Sequence, residues 1–137
     1  MIQKILCPTD GTEHSDIAVR YAAQLATKLG ASLTLCAVNI TYGTPRGPST
    51  QHWNEQEKTE ILNQAAAIAR ENGVSDAECI SVISREAAAG IVSYAEDNGY
   101  DQIVVGTGDK RGLSRLMIGS VAADVVARSH VTVTVAR

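Results

Sequence analysis

Five short apolar runs alternate with four segments of helical periodicity, in unbroken order, along the 137-residue chain. Few folds are open to such a pattern. Strands separated by helices run parallel, joined by right-handed crossovers, with helices covering both faces of the sheet. Residues 3–9 read as a buried strand ending at Pro8-Thr9-Asp10-Gly11, and residues 32–39 as a second. Further strands are expected at 77–83, 102–106 and 131–136. The first helix covers 15–29, with Ile17, Ala18, Tyr21, Ala22, Leu25, Ala26 and Leu29 spaced along one face. Gly30 closes it as a left-handed cap would. Helices over about 53–72, 87–98 and 119–129 complete the alternation, and Asn72-Gly73 and Asn98-Gly99 stop the first two of these. Residues 40–52 contain Gly43, Pro45, Gly47 and Pro48, which predicts the longest loop, without regular structure.

The first, second and fourth strands are almost continuously apolar, as strands covered on both sides are. The fifth differs: Val131, Val133 and Val135 alternate with Thr132 and Thr134. That is the pattern of an edge strand, which is either solvated or paired with another chain. A homodimer through 131–136 is the expectation. In open parallel sheets, ligands sit beyond the C-terminal strand ends where the strand order reverses. A five-stranded order of 3-2-1-4-5 is the simplest that brings Asp10 and the loop after Gly106 to one crevice.

Composition narrows the function. One domain of this length buries a sufficient core. Phe is absent and aromatic residues make up only 4%, so that core is aliphatic. A net charge of −3 argues against a general nucleic-acid or anionic-membrane binder. No apolar run approaches the roughly 18 residues of a membrane span, and the N-terminus lacks a signal-peptide pattern. A cytoplasmic protein is expected. Cys7, Cys36 and Cys79 each fall in a strand-like run and read as inert, buried thiols. His14, His52 and His130 lack metal-type spacing, and neighbours such as Asp10, His14 and Ser15 at a helix start do not make a catalytic triad. With neither a Gly-x-x-x-x-Gly-Lys-Ser/Thr loop nor an early Gly-x-Gly-x-x-Gly, NTPase motors and dehydrogenases fall away.

The chemistry concentrates between 102 and 120. Val105-Gly106 ends an apolar run, a small basic loop follows, and Gly119-Ser120-Val121 opens a helix. Such an arrangement aims free backbone N–H groups at a phosphate. Asp109 works against it. Two like charges about 4 Å apart at an effective dielectric near 20 repel by on the order of 4 kcal/mol, roughly a thousandfold in affinity. Lys110, Arg111 and Arg115 in the same loop, or a Mg²⁺ ion bridging Asp109 and phosphate, would offset the repulsion. The three basic residues equally suit a solvated loop. Asp10 suits either a ribose or adenine amino group or a simple turn, with Thr12 or Ser15 capping the next helix.

Residues 4–39, from Lys4-Ile-Leu-Cys-Pro-Thr-Asp-Gly-Thr-Glu-His-Ser15 through Gly30-Ala-Ser-Leu-Thr-Leu-Cys-Ala-Val-Asn39, resemble the opening of the universal stress protein family. The 102–120 segment resembles that family's signature loop, and the likeness runs from Lys4 to Arg137. It implies an α/β, doubly wound, Rossmann-like fold of the adenine-nucleotide alpha-hydrolase-like type. The strand order would be 3-2-1-4-5, with a dimer through the last strand. Many members bind ATP with Gly, two residues, Gly, nine residues, then Gly and Ser or Thr. Gly106 and Gly119-Ser120 match this; Asp109 stands at the middle glycine, with Gly108 one residue early and Gly112 three late. The resemblance implies that Pro8, Thr9 and Asp10 lie at the nucleoside and the Val38 backbone along the adenine edge. Val105, Gly106, Thr107 and Gly108 would line the ribose and phosphate side, with Asp109 and Arg115 nearby. Gly119, Ser120 and Val121 would meet phosphate. Where the family often has Gly-Asp-Pro, this chain reads Arg85-Glu86-Ala87, so that Arg85 faces either ligand or solvent. The expected function is an adenine-nucleotide-binding regulatory module, ATP favoured over AMP or cyclic AMP. No general base is positioned for more than slow hydrolysis, and the 40–52 loop is a candidate lid. The alternative is a dimeric interaction module that has lost nucleotide binding through Asp109.

Overall fold

The computed structural model describes residues 2–43, 46–107 and 118–137. The elements are β1 Lys4–Pro8, α1 Glu13–Leu29, β2 Ser32–Tyr42, β3 Thr50–Gln51, α2 Glu55–Glu71, β4 Glu78–Ser84, α3 Ala87–Asp97, β5 Gln102–Gly106, α4 Ser120–Arg128 and β6 Thr132–Ala136. Five parallel strands lie in the order β4-β2-β1-β5-β6. This is the expected order, with β4, β5 and β6 as the third, fourth and fifth strands of the sequence reading. Strand β3 is an addition. It turns back antiparallel on the end of β2, pairing Thr50 with Tyr42 and Gln51 with Thr41. The 40–52 segment is therefore not irregular throughout, as its glycines and prolines suggested. Ile40, Thr41 and Tyr42 prolong β2, and Gly43 turns the chain at φ 134°, a conformation open to glycine.

Alternation along each strand divides the core in two. Ile5, Cys7, Leu33, Leu35 and Val104 face α1 and α2. Leu6, Cys36, Val38, Ile103 and Val105 face α3 and α4. Helix α1 buries Ala18, Val19, Ala22, Ala23 and Ala26, whereas Tyr21 and Leu29 are 45% and 47% exposed. Ile17 and Leu25 pack half-buried against the same core, so the face that apolar spacing marks holds except at Tyr21 and Leu29. Small side chains let the helix lie close on the sheet, and the bulky Tyr21 and Leu29 are left outside. Cys7 and Cys36 are fully buried, and burial pushes the Cys36 thiol up to about 12 and Cys7 further still. Cys79 is exposed, contrary to expectation, because β4 is an edge strand whose Cys79, Ser81 and Ile83 stay largely uncovered.

At the opposite end of the sheet from the strand C-termini, Asp101 clamps the entry to β1. Its Oδ2 accepts the backbone N–H groups of Gln3 and Lys4, both at 2.9 Å. Those two hydrogen bonds hold its carboxyl below the usual range. A depressed carboxylate stabilises the fold above its unfolded pKa and loses that contribution as pH falls through its lowered folded value. Asp101→Asn is therefore expected to be less stable than wild type at neutral pH, with the gap closing below about pH 4. Thermal melts of both proteins between neutral and acidic pH check this; a gap independent of pH counts against the clamp.

Candidate functional site

Because the order reverses at β1, the chain leaves β1 and β5 toward opposite faces of the sheet. A crevice opens between their C-terminal ends. From β1 it is lined by Pro8, then Thr9 and Asp10. From β5 it is lined by Val105 and Gly106, and from β2 by Val38. Gly106 is required by space. A methyl there would overlap the carbonyl oxygen of His14 and stand 2.9 Å from its carbonyl carbon. The first turn of α1 rests directly on the end of β5.

Local hydrogen bonds set the polar rim. Asp10 Oδ1 accepts from the Thr12 backbone N–H at 3.0 Å and the Thr12 hydroxyl at 2.6 Å. Thr12 in turn caps α1, its Oγ1 accepting the Ser15 N–H at 3.4 Å. Gly11, at φ 81°, permits the turn. Asp10 thus makes the turn and also stays exposed at the crevice. Beneath it, Thr9 Oγ1 and Ser15 Oγ, both buried, share a hydrogen bond of 3.1 Å. Thr107 Oγ1 lies 3.3 Å from His14 Nδ1.

Besides α1, two helices point their N-termini at this crevice, and among the described residues neither is capped by a side chain. Helix α4 starts after Gly119, which has no side chain to offer; α3 starts after Glu86, whose carboxylate makes no cap. Glu86 Oε2 instead lies 3.4 Å from the Arg128 guanidinium. In contrast, α1 is capped by Thr12 and α2 by a full capping box of Asn54 and Glu57. Uncapped first turns leave N–H donors free, and the helix dipole adds partial positive charge.

The resulting cleft holds about 280 Å³, close to the lower end of small-molecule sites, about 300–1,000 Å³. Of the residues singled out from sequence, Pro8, Thr9, Asp10, Val38, Val105, Gly106, Gly119, Ser120 and Val121 all line it. Thr107 stands beside it on His14. Gly108, Asp109 and Arg115, with Lys110 and Arg111, lie outside the described residues. Arg85 is exposed and does not line the cleft, whereas Ala87 does. The sequence reading missed Trp53, Ile91 and Ala122 in the walls. For Trp53 a signal existed: it is the chain's one tryptophan and immediately precedes the capping box at Asn54.

The cleft has two ends. Val38, Trp53 and Ile91 make an apolar wall near β2, around the uncapped start of α3 at Ala87, and the α4 N-terminus makes a second donor-bearing end beyond β5. A sequence model of the universal stress protein family matches residues 1–137. The chain belongs to the universal stress protein family. Universal stress protein MJ0531 of Methanocaldococcus jannaschii is 32% identical over 144 residues, spanning all of this chain and 83% of its own. Universal stress protein YxiE of Bacillus subtilis is 31% identical over 150 residues, spanning both chains in full. A crystal structure of a universal stress protein in complex with cAMP superposes with a TM-score of 0.76 at 28% identity. That match covers 99% of this chain and 97% of the other. The universal stress protein fold thus accounts for the sheet order and for the crevice at its reversal. Among the described residues, no helix is long and apolar enough to cross a membrane.

Proposed function

We propose that this universal stress protein binds an adenine nucleotide in the cleft, ATP in preference to AMP or cAMP, as a nucleotide-sensing regulatory module. The observation that carries this is the polarity of the cleft. The α4 end presents uncapped helix N–H groups, Gly106 with no side chain, and Ser120, while the side chains at the other end, Val38, Trp53 and Ile91, are apolar around the start of α3. A nucleotide has the same polarity, phosphates at one end and an aromatic base at the other. The cAMP complex of a relative 28% identical to this chain supports the same class of ligand. In this reading Asp10 meets the ribose, the Val38 backbone runs along the base, and Gly119, Ser120 and Val121 receive phosphate. Thr107 and Gly108 line the ribose side. Asp109 and Arg115 act at the phosphate end, Asp109 through a bridging Mg²⁺ that would cancel its repulsion. The protein works as one cytoplasmic domain and as a homodimer through β6, which pairs only with β5 among the described residues. Thr50 and Gln51 pair with the end of β2 and strap the segment leading to Trp53 onto that strand.

Calorimetric titration of nucleotide-free protein with ATP, AMP and cAMP, each with and without Mg²⁺, tests the proposal. Micromolar ATP binding that tightens with Mg²⁺ is expected. No heat at millimolar ATP in either condition overturns it, and leaves an interaction module in which Asp109 has closed the site.

A further inference from the structure

We propose that Trp53 is the wall against which the base of the ligand stacks, and that the buried amide of Asn39 fixes Trp53 in place. The proposal rests on the nucleotide reading above, and its starting point is an unusual residue. Asn39 lies on β2, fully buried, on the same strand face as Leu35 and Ala37. An amide in such a place is costly unless every polar atom is paired. Here the pairing is complete and all of it goes to one short segment. Asn39 Nδ2 donates to Gln51 Oε1 at 2.9 Å and to the Trp53 carbonyl at 3.0 Å. Its Oδ1 accepts the Trp53 N–H at 2.9 Å.

Further bonds hold the same segment from both sides. The His52 N–H donates to the Ile40 carbonyl at 2.8 Å, continuing the β2–β3 pairing. Immediately after Trp53, Asn54 accepts the Glu57 N–H at 2.8 Å while Glu57 Oε1 accepts the Asn54 N–H at 3.0 Å. Trp53 therefore sits between a buried clamp and a capping box, its own N–H and C=O both occupied. The His52 ring packs against the indole, with centroids 5.3 Å apart. A side chain presented on so constrained a backbone loses little further freedom when a ligand arrives.

Trp53 stands on the apolar wall of the cleft with Val38 and Ile91, near the start of α3 at Ala87. Among the described lining residues, the other aromatic side chain is His14, at the α1 end. A phosphate held at the α4 N-terminus would extend the rest of the ligand across β1 toward the indole. Stacking tolerates any base, so Trp53 supplies affinity for an aromatic ring rather than a choice among rings.

Because Trp53 is the chain's one tryptophan, its emission reports this position alone. Nucleotide-free protein is titrated with AMP, ATP and ribose 5-phosphate, following heat and tryptophan emission together. We expect AMP and ATP to change the emission saturably, with the midpoint of the calorimetric curve, and ribose 5-phosphate to leave it unchanged. Trp53→Leu should lower AMP affinity roughly tenfold to a hundredfold without altering that for ribose 5-phosphate, and Trp53→Phe should recover most of the loss. The wild-type emission readout stands even where a variant folds poorly. AMP and ATP heat with unchanged emission, or with unchanged affinity in a folded Trp53→Leu, overturns the assignment and leaves the nucleotide site intact. No heat with either nucleotide overturns both.

Discussion

Gly106→Ala should abolish measurable nucleotide binding and cost about 1–3 kcal/mol of stability, as overpacking does. The added methyl would run into one backbone peptide group: the His14 carbonyl oxygen, its carbon at 2.9 Å and the Ser15 nitrogen at 3.4 Å. Backbone in the first turn of a helix cannot rotate away as a side chain would. Relief therefore requires the whole start of α1 to lift from β5. That motion is opposed by Ala18, Ala22 and Ala26, all buried on the sheet, and it carries off Asp10, Thr12 and Ser15, whose mutual hydrogen bonds shape the rim. Urea unfolding gives the stability and calorimetry the binding. Wild-type affinity in a folded Gly106→Ala protein would mean that the α1–β5 contact does not shape the site.

Asn39→Asp is expected to cost about 3–5 kcal/mol at neutral pH, the range for an uncompensated buried charge. The two side chains are nearly the same shape, so packing is held constant. What changes is that two donors become acceptors facing acceptors. Gln51 can turn its amide to donate; the Trp53 carbonyl cannot. Burial would raise the pKa of the new carboxyl in the folded state above its unfolded value of about 3.9. The folded state then binds more protons than the unfolded one, so the penalty grows as pH rises between those two values and shrinks as it falls. Denaturation at neutral pH and again near pH 4 should show the variant recovering part of its loss relative to wild type. Equal stability at neutral pH would show that the amide does not hold the strap.

Much of this architecture was legible because it follows from local pattern. Ile5-Leu6-Cys7 and Ile103-Val104-Val105 are apolar on both faces, which suffices to predict covered parallel strands. Gly106 and Gly119 were visible as motif positions, and Pro8 through Asp10 as an unusual strand end. The physical reason for Gly106 was not, since the carbonyl it accommodates belongs to a residue 92 positions earlier in the chain. On α1, Tyr21 and Leu29 were misplaced for a related reason. Periodicity counts large apolar residues, whereas the distance between helix and sheet favoured alanines. Asn39 escaped notice because alone it is an ordinary polar residue at a strand end, and Trp53 because its one signal, a lone tryptophan before a capping box, does not point to a cleft. Only their hydrogen bonds make them a unit. Cys79 was misplaced because its apolar run reads as covered, although the expected order 3-2-1-4-5 already put that strand at an edge.

The bare starts of α3 and α4 bear on how such a protein drifts over generations. A serine or aspartate at either start would make the empty protein more robust, by about 0.5–2 kcal/mol for a good cap, and the change is small in chemical terms. Each such gain would fill the donors that a visiting anion needs. Glycine at position 119, and a glutamate at 86 drawn aside toward Arg128, then mark places where robustness has been declined. On the nucleotide reading proposed above, a relative with caps at those two positions would hold an anion there less well.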